Sequence, residues 1–256
     1  MSTSSPYAPP TSSLYGSPSA GQTGGLGPRT TIDIGEAIKY PFTDPQWLSR
    51  SAMMGLMMLV PLVGPFVLIG WMVQVAERVR SGTPGLPPLD FGAQLGAGFK
   101  LFISLFTVIF VSIIGVMILQ GLIMGASFGV SALITEAGGP QGLAAAFSLV
   151  GTLIMFAVHM LFALGINVLM PEIYRRGFAG ELFPLASPGR SIRRMRGATG
   201  AFFLTVLGIF VAGMMGGIGV FACYIGAFVS LPLGYAATAH LICQWEAVSG
   251  GPDIEV

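Results

Sequence analysis

The sequence predicts an all-α membrane protein: a polytopic bundle of about six transmembrane helices, arranged as three αα-hairpins with interfacial amphipathic helices on the cytoplasmic side. Three observations predict it. Only 9% of the 256 residues are charged and 53% are hydrophobic, with a mean hydropathy of +0.78, whereas soluble domains carry about 25% charged residues. A chain this poor in charge cannot cover a globular surface with polar groups, so it needs lipid as its solvent. Apolar runs recur, most of them at or beyond the ~20 residues that one helix needs to cross a bilayer. The twelve basic residues are confined to a few segments between those runs, as expected of a chain oriented by its cytoplasmic loops. A net charge of +1 gives no basic excess of the kind nucleic-acid binding requires, so nucleic acid is not expected as a partner.

Residues 1–30 read as a disordered tail. The first 28 are dominated by Ser, Thr, Pro and Gly and carry no charge, so they cannot bury enough apolar surface to offset chain entropy. They have neither the basic start nor the apolar core of a signal peptide. A single membrane domain is expected over 31–248, and a short tail over 249–256. "TIDIGEAIKY" puts Ile34, Ala37 and Ile38 on one helical face, which predicts a short amphipathic helix at the membrane surface. The two prolines of "PFTDPQW" end it, and Trp47 then stands where interfacial aromatics belong.

Membrane helices are predicted at about 47–62, 65–80, 98–125, 143–170, 200–221 and 224–246. The last two divide a long apolar run, with the turn near Cys223 and Tyr224 in the Gly-rich "GGIGVFACYIG". Polar loops are predicted over Glu77–Lys100 and Pro171–Gly200, each running into a surface helix. The 126–141 loop carries only Glu136 as a charge.

Charge decides how the first apolar segment folds. If it crossed once, Arg29, Lys39 and Arg50 would face the side opposite Arg78, Arg80 and Lys100. If it turns at Pro61, Gly64 and Pro65, with Gly64 at the tip, all twelve basic residues lie on one side. Both termini are then cytoplasmic, in the cell (inner) membrane. Sixteen helical residues reach only about 24 Å against a ~30 Å hydrocarbon core. A spanning and a re-entrant first hairpin therefore both stay open. "VGPFV" at 63–67 and "IGAFV" at 225–229 echo one another just beyond the two predicted turns.

The entry "EAIKYPFTDPQW", the interrupted apolar "LVPLVGPFVLIGWMVQVAERVRSG" and "LPPLDFGAQLGAGFK" resemble a prokaryotic membrane family catalogued as domain of unknown function 4013. The likeness covers roughly 31–246 and is strongest before Lys100. Beyond that it rests on hydropathy and on the "IGAFVSLPLGYAATAH" end. It implies an integral membrane protein of a prokaryote and carries over no activity, ligand or catalytic residue.

Ionisable groups inside a bilayer are costly and often functional. No Asp, Glu, Lys or Arg falls near the centre of a predicted span, which lowers the case for an ion-coupled pump. His159 is the foremost intramembrane polar candidate, with Asn167 about 80° round the same helix. One reading is a proton or ligand contact; the other is a neutral histidine bonded across helices. His240 and Gln244, one turn apart, read as solvated groups near the interface, because zinc needs three or four ligands and no third is evident. Arg190, Arg193, Arg194 and Arg196 in "RSIRRMR" form a polybasic patch beside a span. Such a patch attracts anionic lipid by about 1 kcal/mol per charge, or serves topology alone. Gly121/Gly125 and Gly213/Gly217 have the spacing of close helix packing and read as internal surfaces; Gly92/Gly96 falls in a predicted loop. "GAQLGAG" follows no strand and fails as a nucleotide fingerprint. Cys223 and Cys243 read as small buried side chains.

No catalytic, cofactor-binding or metal-binding residue is expected. The function predicted is a non-enzymatic scaffold, or a membrane factor that interacts with lipid or protein. The alternative is a small-solute permease or channel subunit acting as an oligomer. Expected partners are the bilayer, anionic lipids, and a second copy or another membrane protein.

Overall fold

A computed structural model describes residues 26, 29–183, 188–221 and 225–250. The predicted turn at Cys223 and Tyr224, most of the 1–30 tail and residues 251–256 lie outside these. Where the tail is described, it is part of the fold: Leu26 packs on the core, and the Arg29 guanidinium pairs with the Glu36 carboxylate.

The described residues form helices joined by short connections, with no strand among them. In chain order they form α1 Ile34–Lys39, a 3-10 turn Tyr40–Thr43, α2 Trp47–Met57, α3 Val63–Ser81, α4 Phe91–Glu136, α5 Gln141–Phe178, α6 Pro188–Gly197, α7 Thr199–Phe221 and α8 Ala227–Val248. Three of them, α4, α5 and α7, are long and apolar enough to cross a membrane.

α1 begins where the Asp33 side chain accepts from Glu36 N at 2.9 Å, an N-cap. It does not lie free on a surface: Ala37 is buried, and α1 packs on α7 and α8. α2 is shorter than predicted. It has 11 residues, about 16 Å at 1.5 Å each, roughly half a hydrocarbon core. The bend after it also differs from expectation. Its tip is Leu62, at φ 65° and ψ −48°, with Val63 N donating to Pro61 O at 2.7 Å. That is the positive-φ γ-turn, a rare and strained conformation. Pro61 lies in the turn, but Gly64 and Pro65 already belong to the first turn of α3. Gly64 is small for a different reason: a Cβ there would collide with the Met57 carbonyl.

The segment read as a polar loop over 77–100 is mostly helix. α3 runs on to Ser81 and stops at Gly82, which is left-handed at φ 67°. Asp90 caps α4 by accepting from Ala93 N at 3.2 Å. Gly92 and Gly96 therefore stand inside α4. The close approach is made elsewhere, at Gly70 and Gly98, where a Cβ on either would run into the other helix's backbone. Trp71 Nε1 donates to Pro87 O at 3.1 Å and Gln94 Nε2 to Pro88 O at 2.9 Å, pinning "LPPL" between the two helices.

α4 has 46 residues and α5 has 38, about 69 Å and 57 Å long. The predicted 126–141 loop shrinks to the few residues around Gly138, left-handed at φ 71°. The two helices pack along each other. Ser131 Oγ donates to Ala144 O at 2.9 Å and meets Ser148 Oγ at 3.0 Å, so hydroxyls link them inside apolar surface. α5 also continues through Pro171 to Phe178, into what the sequence reads as loop.

α8 is the centre of the molecule. Leu233, Gly234 and every residue from Ala236 to Trp245 are buried, among α1, α2, α3, α5 and α7. Its small residues make that enclosure possible. A Cβ at Gly55 of α2 would strike the Phe228 carbonyl, the group that Pro232 leaves without its helical donor. Ser230 Oγ donates to Gly216 O at 2.6 Å, closing α8 on α7. By contrast, the outer parts of α4, α5 and α7 expose Phe110, Ile118, Leu153, Phe156, Phe203 and Phe210 among many apolar side chains.

Candidate functional site

The polar groups gather at the end of the bundle where α1, α6 and the C-termini of α3, α5 and α8 meet. Two networks build this end. In the first, Gln244 grips the Asp33 backbone. Its Oε1 accepts from Asp33 N at 2.7 Å and its Nε2 donates to Asp33 O at 3.1 Å. Gln244 Nε2 also lies 3.1 Å from His240 Nδ1, and His240 Nε2 is 3.8 Å from Glu36 Oε1. Arg29 Nη2 completes the chain at 2.8 Å from the same Glu36 oxygen. This hydrogen bonding holds the Glu36 carboxyl below the usual carboxylate range and raises Arg29. His240 and Gln244 are thus buried and bonded, not solvated as the sequence suggests. Tyr40 packs on the His240 ring, donates to Gly85 O at 3.1 Å, and burial pushes its phenol up to about 12.

The second network centres on Glu172, which is 1% exposed. Its Oε1 accepts from Trp245 Nε1 at 2.8 Å, and its Oε2 accepts from Arg175 Nη2 at 3.1 Å and from Ser191 Oγ at 3.4 Å. Arg176 Nε lies 3.8 Å from Oε2, and Arg176 Nη1 reaches Glu181 at 3.3 Å. Sequence reading places these residues in a polar loop that begins at Pro171. The signal that identifies them is the continued helical spacing: Glu172, Arg175 and Arg176 are three and four apart, while Ile173 and Phe178 carry the apolar face onward.

Ser191 brings this network to α6. α6 turns Ser191 and Met195 toward the bundle and leaves Arg190, Arg193 and Arg196 exposed. Arg194 is half-buried and its Nη1 reaches Ser249 Oγ at 3.5 Å. Arg190, Arg193 and Arg194 line a groove of about 480 Å³ with Val248, Ser249 and Gly250. The four predicted arginines therefore share one helix, and three of them share one groove.

The other candidates are not brought together. His159 faces outward from α5 and Asn167 lies on its side toward α7, each satisfied by its own helix: His159 Nδ1 lies 2.9 Å from Met155 O, and Asn167 Nδ2 donates to Ala163 O at 2.8 Å. The bond expected across helices is a local one, which is how a polar side chain lowers its cost on an apolar surface. Gly121, Gly125, Gly213 and Gly217 meet nothing that a Cβ would touch, so none is an internal packing contact as predicted. Cys243 is a buried free thiol whose Sγ lies 3.5 Å from Ala76 O, while Cys223 falls outside the described residues. Comparison with protein-family models, with curated proteins and with solved structures finds no match to this chain.

Proposed function

We propose that the protein is a non-enzymatic, multi-pass membrane factor that gathers anionic lipid at one face. The observation that carries this reading is α6. Three exposed arginines stand on a short helix that is fixed to the ends of α5 and α8 by the buried Glu172–Trp245–Ser191 network. A basic run needed only for topology has no use for such an anchor. The threading that suits this reading puts the ends of α1, α6 and α8 on the cytoplasmic side. α4, α5, α7 and α8 cross the membrane, and α2–α3 enters and returns. The resemblance to the prokaryotic family fits such a chain.

At about 1 kcal/mol per basic group near an anionic surface, the three exposed arginines supply about a hundredfold preference. Native mass spectrometry of the full-length protein with equimolar phosphatidylglycerol and phosphatidylcholine measures it. The wild type is expected to retain phosphatidylglycerol selectively, and Arg190→Gln/Arg193→Gln/Arg196→Gln to lose most of that selectivity. Equal retention of both lipids by the wild type removes the reading. The alternative, an oligomeric permease or channel subunit, draws on the outward placement of His159, where only a second chain could close a path over it. Solute flux in proteoliposomes that is lost in His159→Ala would favour it.

A further inference from the structure

A separate feature lies between α5 and α7. Leu164, Asn167 and Met170 face Phe203, Val206, Leu207, Phe210 and Met214 across a cleft of about 850 Å³. The cleft opens on the apolar outer surface, because Leu164, Phe203, Leu207, Phe210 and Met214 are all exposed. A second cavity of about 210 Å³ lies deeper, where α3, α5, α7 and α8 meet, lined by Met72, Tyr174, Leu231, Tyr235 and Thr238 among others. Ile209 and Gly213 line both. The two spaces therefore adjoin at these residues, and a Cβ on Gly213 would meet nothing within 4 Å, so this glycine packs against no helix.

The inner cavity is apolar except at its hydroxyls. Thr238 Oγ1 donates to Gly234 O at 2.9 Å. The phenols of Tyr174 and Tyr235 have no hydrogen-bond partner among the described residues. Two donors left without acceptors in an apolar site are costly unless a guest supplies the acceptor. No Asp, Glu, Lys, Arg or His lines either space, so a charged group has no partner there. The outer cleft, about 850 Å³, already has the size of a small-molecule site.

We infer that this cleft binds an uncharged lipid from the bilayer, its hydrocarbon chain between α5 and α7 and a carbonyl oxygen accepting from Tyr174 and Tyr235. An acyl ester and a prenylated quinone both offer that chemistry. The site is independent of the α6 arginines, so either reading can fail without the other.

The test uses full-length protein in nanodiscs of ether-linked phosphatidylcholine, which brings no competing carbonyl. The probe is a diazirine-bearing monoacylglycerol, with an alkyl diazirine of equal length that lacks the ester as control. Wild type is expected to be labelled on 203–214 and 164–174. Gly213→Leu should reduce ester-probe labelling about tenfold, whereas Gly217→Leu, one turn on and outside both cavities, should not. Tyr174→Phe/Tyr235→Phe should reduce labelling by the ester probe about tenfold, for two neutral hydrogen bonds, and leave the alkyl probe unchanged. Displacement by excess monoacylglycerol but not by a decyl benzoquinone assigns the ester, and the reverse assigns the quinone. Equal labelling of wild type, Gly213→Leu and the double phenylalanine variant overturns the inference. So does equal loss in Gly213→Leu and Gly217→Leu.

Discussion

Leu62 holds a φ of 65° with its side chain exposed, so no packing contact within the protein offsets the strain. Leu62→Gly should therefore stabilise the protein by about 1 kcal/mol, read as a higher midpoint in thermal unfolding followed by circular dichroism. Gly55 and Gly98 sit at the other extreme, where backbone touches backbone. Alanine at either should lower the midpoint, because the obstructing atoms are main-chain carbonyls that cannot swing aside. Gln244→Leu should free the Asp33 segment at a cost of about 1 kcal/mol for the lost backbone bonds, seen as faster amide exchange over 33–40. The same segment should respond to pH in two windows. Glu36 titrates below its ordinary value because of Arg29. Its contribution is complete above pH ~4.5 and fades as pH falls through the lowered value. Tyr40 titrates at about 12. The folded state holds its proton more tightly than the unfolded chain, so stability falls as pH rises from about 10 toward 12. Amide exchange over 33–40 measured across pH should speed up in both windows.

At the scale of elements, α6 depends on α5. Glu172 is one buried acceptor serving Trp245, Ser191 and two arginines. Its removal leaves buried positive charge and costs about 3–5 kcal/mol. Glu172→Ala should open the 179–190 connection to limited proteolysis, while the conservative Ser191→Ala should do so only weakly. Helices and their apolar faces were legible in the sequence, because hydropathy and the 3.6 period speak directly about lipid and core. Helix ends were not. Pro171 reads as a terminator by local sterics, yet α5 runs through it because Ile173 and Phe178 find buried partners beyond. Asp90, an N-cap eight residues upstream of the predicted start, shows why α4 begins early. The small residues misled in the same way: spacing picked out Gly121 and Gly213, but only three-dimensional packing shows that Gly70 and Gly98 make the helix contact. The α6 arginines were legible as a cluster; Glu172, which orients them, and Tyr174 and Tyr235, which face a cavity, carry no local signature.

For the whole molecule, charge sorting remains the strongest argument, and the short α2 sharpens it. A helix of 11 residues cannot cross a ~30 Å core, and the bend carries exposed Leu56, Leu59, Val60 and Leu62, which suit lipid and not water. α4 poses the opposite mismatch. From Leu101 to Leu133 its uncharged stretch is about 50 Å long. A tilt near 40°, the upper end of the observed range, brings its projection to about 38 Å, close to the thickness of core plus headgroup layers. Cysteine accessibility tests this threading most directly, in cells that express the chain with Cys223 and Cys243 replaced by alanine. Single cysteines at Leu62, Gly138 and Gly189 would be challenged with a membrane-impermeant maleimide, before and after lysis. The account predicts that Gly138→Cys reacts in intact cells, Gly189→Cys reacts only after lysis, and Leu62→Cys reacts in neither. Labelling of Leu62→Cys from outside would contradict the re-entrant α2–α3 pair. Labelling of Gly189→Cys in intact cells would contradict the one-sided polar face on which the proposed function rests.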